Sequence, residues 1–268
     1  MHNEKTMNII KKHLTIIFNK SHLFIFLKPY LRKSKLSVKV YAPWHIKTHL
    51  QTISFFSQFL KKGDLCFDIG ANIGEYTRNL LYLKVKVVSV EPQKKCLKTL
   101  YEMYGRNKNV KIVGKAAGEL EEYASMYISD KYGKISTLSN KWKDYGRFSR
   151  TFEWNKEELV PVTTLDSLIR RFGLPKFCKI DVEGYELNVL KGLTQKIPIL
   201  SFEFTKEFSK DITLCGEYLK SLGDVRFNLI YGNTFKFLLT NWISIEGLLN
   251  FLNKHPDIDW GDIYAKFI

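Results

Sequence analysis

The stretch FDIGANIGEYT, residues 67–77, decides the fold. A short apolar run carrying Asp68 is stopped by a turn that holds Gly70 and Gly74, with Ala71 and Asn72 between them. An amphipathic segment follows. A buried strand that runs through a glycine turn into a helix leaves free backbone N–H groups and the positive end of a helix dipole at the turn. Dinucleotide folds space their glycines G-x-G-x-x-G so that backbone can lie against a pyrophosphate. Here the spacing is G-x-x-x-G, with Asn72 in place of the second glycine. That suits a ligand without a diphosphate, whose carboxylate meets the helix start.

The next run, VKVVSVEP (85–92), ends on Glu91-Pro92, 23 residues after Asp68. An acid at the tip of a second strand takes the two hydroxyls of a ribose. A nucleoside carrying an amino-acid tail meets both demands, and S-adenosylmethionine is the expected cofactor. Outward from there the chain alternates strand and helix. Strand-like runs recur at DLCFDI (64–69), NVKIVG (109–114), FCKIDVEG (177–184), PILSFEFT (198–205), VRFNLIYG (225–232) and DIYAKFI (262–268). Helical spacing fills residues 75–84, the stretch after Pro92, the stretch after Gly184, and 207–222. This pattern predicts an α/β fold, a mostly parallel sheet with helices on both faces and ligands beyond the carboxyl ends of its strands. Residues 129–158 are polar, basic and aromatic, and break the alternation as an insertion over the site.

FDIGANIGEYT, VSVEP, VPVTTLDSL and CKIDVEGYELNVLKG, in that order, resemble the FkbM family of S-adenosylmethionine-dependent methyltransferases. The resemblance spans roughly residues 63–205. It implies a class I (Rossmann-like) fold of seven strands with the seventh antiparallel, and methylation of a hydroxyl oxygen. Carried over by position, Asp68, Gly70, Ala71, Asn72 and Gly74 would line the methionine part, and Glu91 with Pro92 the ribose. The Lys115–Ala117 turn, with Ala116 and Ala117, would lie along the adenine. Asp181 and Glu183 would face the reactive methyl.

A sugar or alkyl hydroxyl is a poor nucleophile and gains from a general base. IDVEGYE sets Asp181 and Glu183 just past a strand end, where alternation puts both on one side and each raises the pKa of the other. Either is a candidate base. Asp181 can instead be structural, bonded to backbone or to Asn72, and Glu203 or a histidine can take the role. Glu203 stands alone in an apolar strand, placed either to reach the site or to meet a buried cation. Glu186 opens a helix and reads as structural. No third oxygen ligand joins Asp181 and Glu183, and His45-x-x-x-His49 lacks the glutamate of H-E-x-x-H, so no metal is expected.

Of the net charge of +15, residues 1–62 hold twelve Lys/Arg against Glu4 alone. The basic character therefore belongs to the N-terminal segment, which weakens a nucleic-acid reading drawn from pI. Residues 1–62 are expected to form a basic helical extension, and 63–268 the methyltransferase domain. HLFIFL is too short to span a bilayer, and no cleavage site marks a signal peptide. Residues 1–40 either touch an anionic membrane surface or pack on the main domain. Four cysteines without a C-x-x-C indicate a reducing, cytoplasmic setting.

Trp142, Tyr145, Phe148, Phe152 and Trp154, interleaved with Lys141, Lys143, Arg147 and Arg150, can stack nucleobases or sugar rings, or form a lid. A nucleic-acid methyltransferase is the first alternative, against which stands the lack of a D/N-P-P-Y/F turn. An inactive binding protein is the second. The expected acceptor is a hydroxyl of a sugar in a glycan or glycolipid, or of a related metabolite.

Overall fold

A computed structural model describes residues 51–129, 135–232 and 234–268. Residues 1–50 of the predicted basic extension, with the His45/His49 pair and the membrane-facing stretch 1–40, lie outside these residues. The chain's larger compact unit runs from Ile53 to Ile268. It begins ten residues before the expected domain start because Phe55, Phe56 and Leu60 are buried in its core.

The elements follow as β1 (Leu65–Ile69), α1 (Glu75–Leu81), β2 (Lys86–Val90), α2 (Lys94–Tyr104), β3 (Val110–Val113), β4 (Ala116–Ala117) and β5 (Tyr123–Ile128). Then come α3 (Asn140–Tyr145), β6 (Lys156–Thr163), α4 (Leu165–Phe172), β7 (Phe177–Ile180) and α5 (Glu186–Lys191). The last are β8 (Ile199–Thr205), α6 (Ser209–Leu222), β9 (Val225–Tyr231), α7 (Ile245–Lys254) and β10 (Trp260–Phe267). Hydroxyls start three of the helices: Ser139, Thr164 and Ser244 accept from the backbone N–H three residues on.

Seven strands form one sheet in the order β3-β2-β1-β7-β8-β10-β9. β10 runs antiparallel to both neighbours, and the rest are parallel. This is the class I arrangement, with the antiparallel seventh strand that the resemblance implies. A second sheet, β4-β6-β5, lies outside the expected alternation. The Ala116–Ala117 stretch is therefore a strand paired with Val162–Thr163, not a turn. The insertion begins and ends in the antiparallel pair β5–β6. Helix α7 was hidden in a stretch without strand signals, although Ile245, Leu248 and Leu252 have helical spacing.

Residues paired across neighbouring strands share a face, so the register reads as rows. On one face Phe67, Ile69, Cys178, Ile180, Leu200, Phe202 and Ile263 join the main apolar core with α4 to α7. The opposite face is apolar at its lower end, where Cys66, Phe177 and Ile199 meet Phe55, Phe56 and Leu80. Above them runs a polar row, Ser89–Asp68–Lys179–Ser201–Tyr264–Asn228, from β2 to β9. All six are buried.

Candidate active site

Strand order reverses between β1 and β7, where a crevice opens at the carboxyl ends of an α/β sheet. The glycine turn stands on one side of it. Gly70 has φ +80°, and a Cβ there would lie 1.8 Å from the carbonyl oxygen of Asp181. Only glycine lets β1 and β7 close up at this point. Gly74 also has positive φ, and its carbonyl accepts a hydrogen bond from Tyr104 Oη at 3.0 Å. Gly70 N and Ala71 N both donate to Val90 O at 3.0 Å, which ties the turn to the tip of β2.

Glu91 completes that tie. Its Oε2 accepts from Asn72 N at 2.9 Å and its Oε1 from Gln93 N at 2.8 Å. Burial pushes its pKa up to about 7 against these two bonds. The Gln93 side chain bonds to Glu91 as well, and a carboxylate has about four acceptor sites, so capacity remains for a ligand hydroxyl. Asp68 is fully buried, and Thr77 Oγ1 donates to its Oδ2 at 2.6 Å. Its Oδ1 has no partner.

Across the crevice β7 ends at Ile180 and the chain turns sharply. Asp181 N donates to Ile69 O at 3.0 Å, while Glu183 and Gly184 take positive φ of 57° and 85°. Glu186 holds this turn, its Oε1 accepting from Val182 N at 3.1 Å and Gly184 N at 3.2 Å. The carboxylate that reads as a helix-start residue is thus a turn clamp, with its pKa raised to about 7, mainly by burial. Thr137 Oγ1, from the insertion, donates to Glu183 O at 2.7 Å.

Carboxylate oxygens of Asp181, Glu183 and Glu203 lie within 4.8 Å of one another. Of the two readings open for Glu203, the structure takes the one that reaches the site, and so supplies the third oxygen donor beside Asp181 and Glu183 that was not expected. The sheet register supplies the reason: Gly70, Asp181, Glu203 and Asp262 stand two residues above Asp68, Lys179, Ser201 and Tyr264 on the same face. Asp181 does not bond Asn72, whose Oδ1 accepts from Ile73 N. It pairs with Lys179 Nζ, a buried cation that also lies 4.6 Å from the Tyr76 ring. Burial opposes the charge on Lys179, but Asp181, Asp262 and Asp68 outweigh it and raise its pKa. Burial, then Asp181 and Glu186, hold Glu183 well above the usual carboxylate range. Burial, then Asp181 and Glu183, do the same for Glu203.

The insertion docks beside this cluster. Trp142 is buried against Phe208 and Phe148, and a Cβ on Gly184 would come within 3.0 Å of it. Lys141 pairs with Asp211 at 2.8 Å, and Arg147 reaches Glu207 at 3.2 Å and Asp259 O at 2.8 Å. Trp154 Nε1 donates to Ile135 O. Of the five aromatic residues predicted to stack on a ligand, Tyr145 alone is largely exposed, at 76%. Ala116 and Ala117 are buried in β4, and Pro92 is half-buried beside Glu91.

A family model described as the methyltransferase FkbM domain matches residues 68–231. No curated protein matches the chain. Among solved structures it is similar to precorrin-6y C5,15-methyltransferase from Geobacter metallireducens, at 10% identity over 82% of this chain and 86% of that one, with a TM-score of 0.43. An rRNA methylase from Streptococcus thermophilus gives 12%, 84%, 96% and 0.40 in the same order. A SAM-dependent methyltransferase from Aquifex aeolicus gives 13%, 82%, 93% and 0.40.

Proposed function

Because the chain belongs to the FkbM methyltransferase family and S-adenosylmethionine is its methyl donor, we propose that it methylates a hydroxyl oxygen. The hydroxyl is that of a sugar in a glycan or glycolipid, or of a related metabolite. The residues at the crevice suit the donor, since Asp68 Oδ1 is a buried acceptor without a partner beside the glycine turn and matches an ammonium group. Asp68, Gly70, Ala71, Asn72 and Gly74 would hold the methionine part, Glu91 with Pro92 the ribose, and Ala116–Ala117 the adenine side. When bound, S-adenosylmethionine supplies an electrophilic methyl group.

The observation that carries the choice of a hydroxyl is the group of three carboxylates at the carboxyl edge of β7 and β8. An alcohol needs a base to lose its proton, and Glu183 is the acid available for that work, since Asp181 is taken up by Lys179. Close placement of the acceptor oxygen by this edge supplies much of the acceleration. A mouth lined by acids repels a polyphosphate chain, and two of the insertion's cations are already paired. Both speak for a neutral hydroxyl over a nucleic acid.

We place the protein in the cytoplasm, with residues 1–40 touching the membrane surface that carries a glycolipid acceptor. No described helix is long and apolar enough to cross a membrane. The test is calorimetric titration with S-adenosylhomocysteine, with NAD as control, followed by labelled methyl transfer to saccharides, glycolipids and RNA. Label in an alkali-stable sugar ether is expected, and label in RNA would overturn the reading. Liposome sedimentation of the full chain against residues 51–268 tests the surface contact, which is dropped if both behave alike.

A further inference from the structure

Three carboxylates within 4.8 Å of one another face a single nearby lysine that one of them already holds. Like charges so close do not all ionise, and where two carboxylates share a site one proton is retained between them. Lys179 divides the group unequally. It pairs with Asp181, while no hydrogen bond or ion pair joins the carboxylates of Glu183 and Glu203 to the described protein. We propose that Glu183 and Glu203 titrate as one electrostatically coupled pair that holds a single proton, so that the acid receiving the acceptor's proton is the pair and not Glu183 alone. This rests on the reading that the acid edge meets the acceptor.

A second observation is independent of the cluster. A cavity of about 20 Å³ opens beside Glu203, lined among others by Trp142, Thr205, Glu186 and Cys215. Trp142 is 2% exposed and Thr205 5%, and neither Trp142 Nε1 nor Thr205 Oγ1 has a partner. That is room for about one water beside Glu203, in a region that also holds two unpartnered polar atoms. Glu203 thus belongs to the acid group and also lines this small space.

The surrounding charges agree. Asp181 after β7 and Glu186 at the start of α5 push both glutamates toward the protonated form, and Asp262 on β10 does so for Glu203. Lys179 from β7 and Arg147 from the insertion pull Glu183 the other way. Asp211 on α6 also lines the cavity but is paired with Lys141, and Glu207 is paired with Arg147. In the transfer the acceptor oxygen gains the methyl and the sulfonium becomes a neutral thioether. The O–H proton passes to the pair, which goes from one proton to two and returns one to solvent.

Infrared spectroscopy of the protein without cofactor counts protonated carboxyl groups directly. If the pair shares one proton, Glu183→Gln and Glu203→Gln each remove one protonated carboxyl at neutral pH, and the double variant removes no more than either single. Asp181→Asn removes none. Two protonated groups lost in the double variant, or none in any, would overturn the proposal. So would loss of the signal on adding magnesium chloride with saturable uptake, which would make the cluster a cation site. The wild-type pH titration of the same band needs no variant and must show one proton leaving these acids. Binding of S-adenosylhomocysteine, measured in parallel, is expected to change less than about three-fold in Glu203→Gln. A chain that failed to bind it at all would undo the functional reading and leave the proton count standing.

Discussion

Glu91 has both carboxylate oxygens engaged by backbone, one on each side of β2's tip, so it is a structural tie as well as a ligand for a ribose. Its pKa of about 7 lies above the ordinary 4.5. The folded state therefore binds its proton more tightly than the unfolded chain, and the stability this gives is full below pH 4.5 and lost as pH rises through 7. Glu186, also near 7, and Asp262, near 6, add losses of the same sign. The cofactor-free protein is expected to melt at a lower temperature at pH 7.5 than at pH 5, with each acid contributing on the order of 1–3 kcal/mol. Glu91→Gln should flatten that slope in a melting series and weaken S-adenosylhomocysteine binding at least ten-fold by calorimetry. Glu183→Gln should leave that affinity nearly unchanged and cut methyl transfer at least 100-fold. The sequence made Asp68, Glu91, Asp181 and Glu183 legible because each ends a strand beside a glycine or proline. It hid Lys179, which lies inside an apolar run, and left Glu203 open between two roles, because the residues that decide between them come from another strand.

At the scale of elements, the junction of β1 and β7 depends on Gly70. An alanine there puts a methyl group 1.8 Å from the Asp181 carbonyl oxygen and strains a φ of +80°. Gly70→Ala should cost at least about 3 kcal/mol by chemical denaturation. Gly63→Ala, with φ +91° but nothing within 4 Å, should cost only about 1 kcal/mol, and equal losses would mean that strain and not the close approach decides. Trp142 is the most buried ring of the insertion: Trp142→Ala should cost about 3–5 kcal/mol locally and raise amide exchange at Gly184 before it affects β1. The parallel strands and their helices were readable from alternating apolar runs. The sheet β4-β6-β5 was not, because two-residue β4 is too short to show a period and β5 is marked by polar and exposed residues. Helix α1, at seven residues, is also shorter than its sequence suggested, so less of the turn's character comes from its dipole.

For the whole molecule, the two faces of the sheet do different work. One is apolar throughout and anchors α4 to α7, while the other rises from aromatic rings through a buried polar row to the acids at the site. The aromatic base includes Phe55 and Phe56, with ring centroids of Phe56 and Phe177 5.5 Å apart. A fragment of residues 51–268 should therefore unfold cooperatively and bind S-adenosylhomocysteine. One of residues 63–268 loses Phe55, Phe56 and Leu60 and should be less stable by several kcal/mol, on the order of 2 kcal/mol for each apolar side chain removed. Equal melting curves for the two fragments would refute this. The glycine turn is conspicuous in the sequence, whereas the rings that support it precede it without any motif.

The place of β10 between β8 and β9 has a consequence for how the chain is made. β9 is synthesised first, yet its sheet partner β10 follows it only after α7. While the ribosome is still adding residues 245–267, β8 and β9 both present unpaired edges, whereas β1, β2 and β3 already have one another. The methyl-donor half can thus take shape on the nascent chain, but the acid edge waits for Asp262 and its strand. A stalled or prematurely released chain would carry the donor turn together with two sticky strand edges, which makes it a substrate for chaperones and not a slow enzyme.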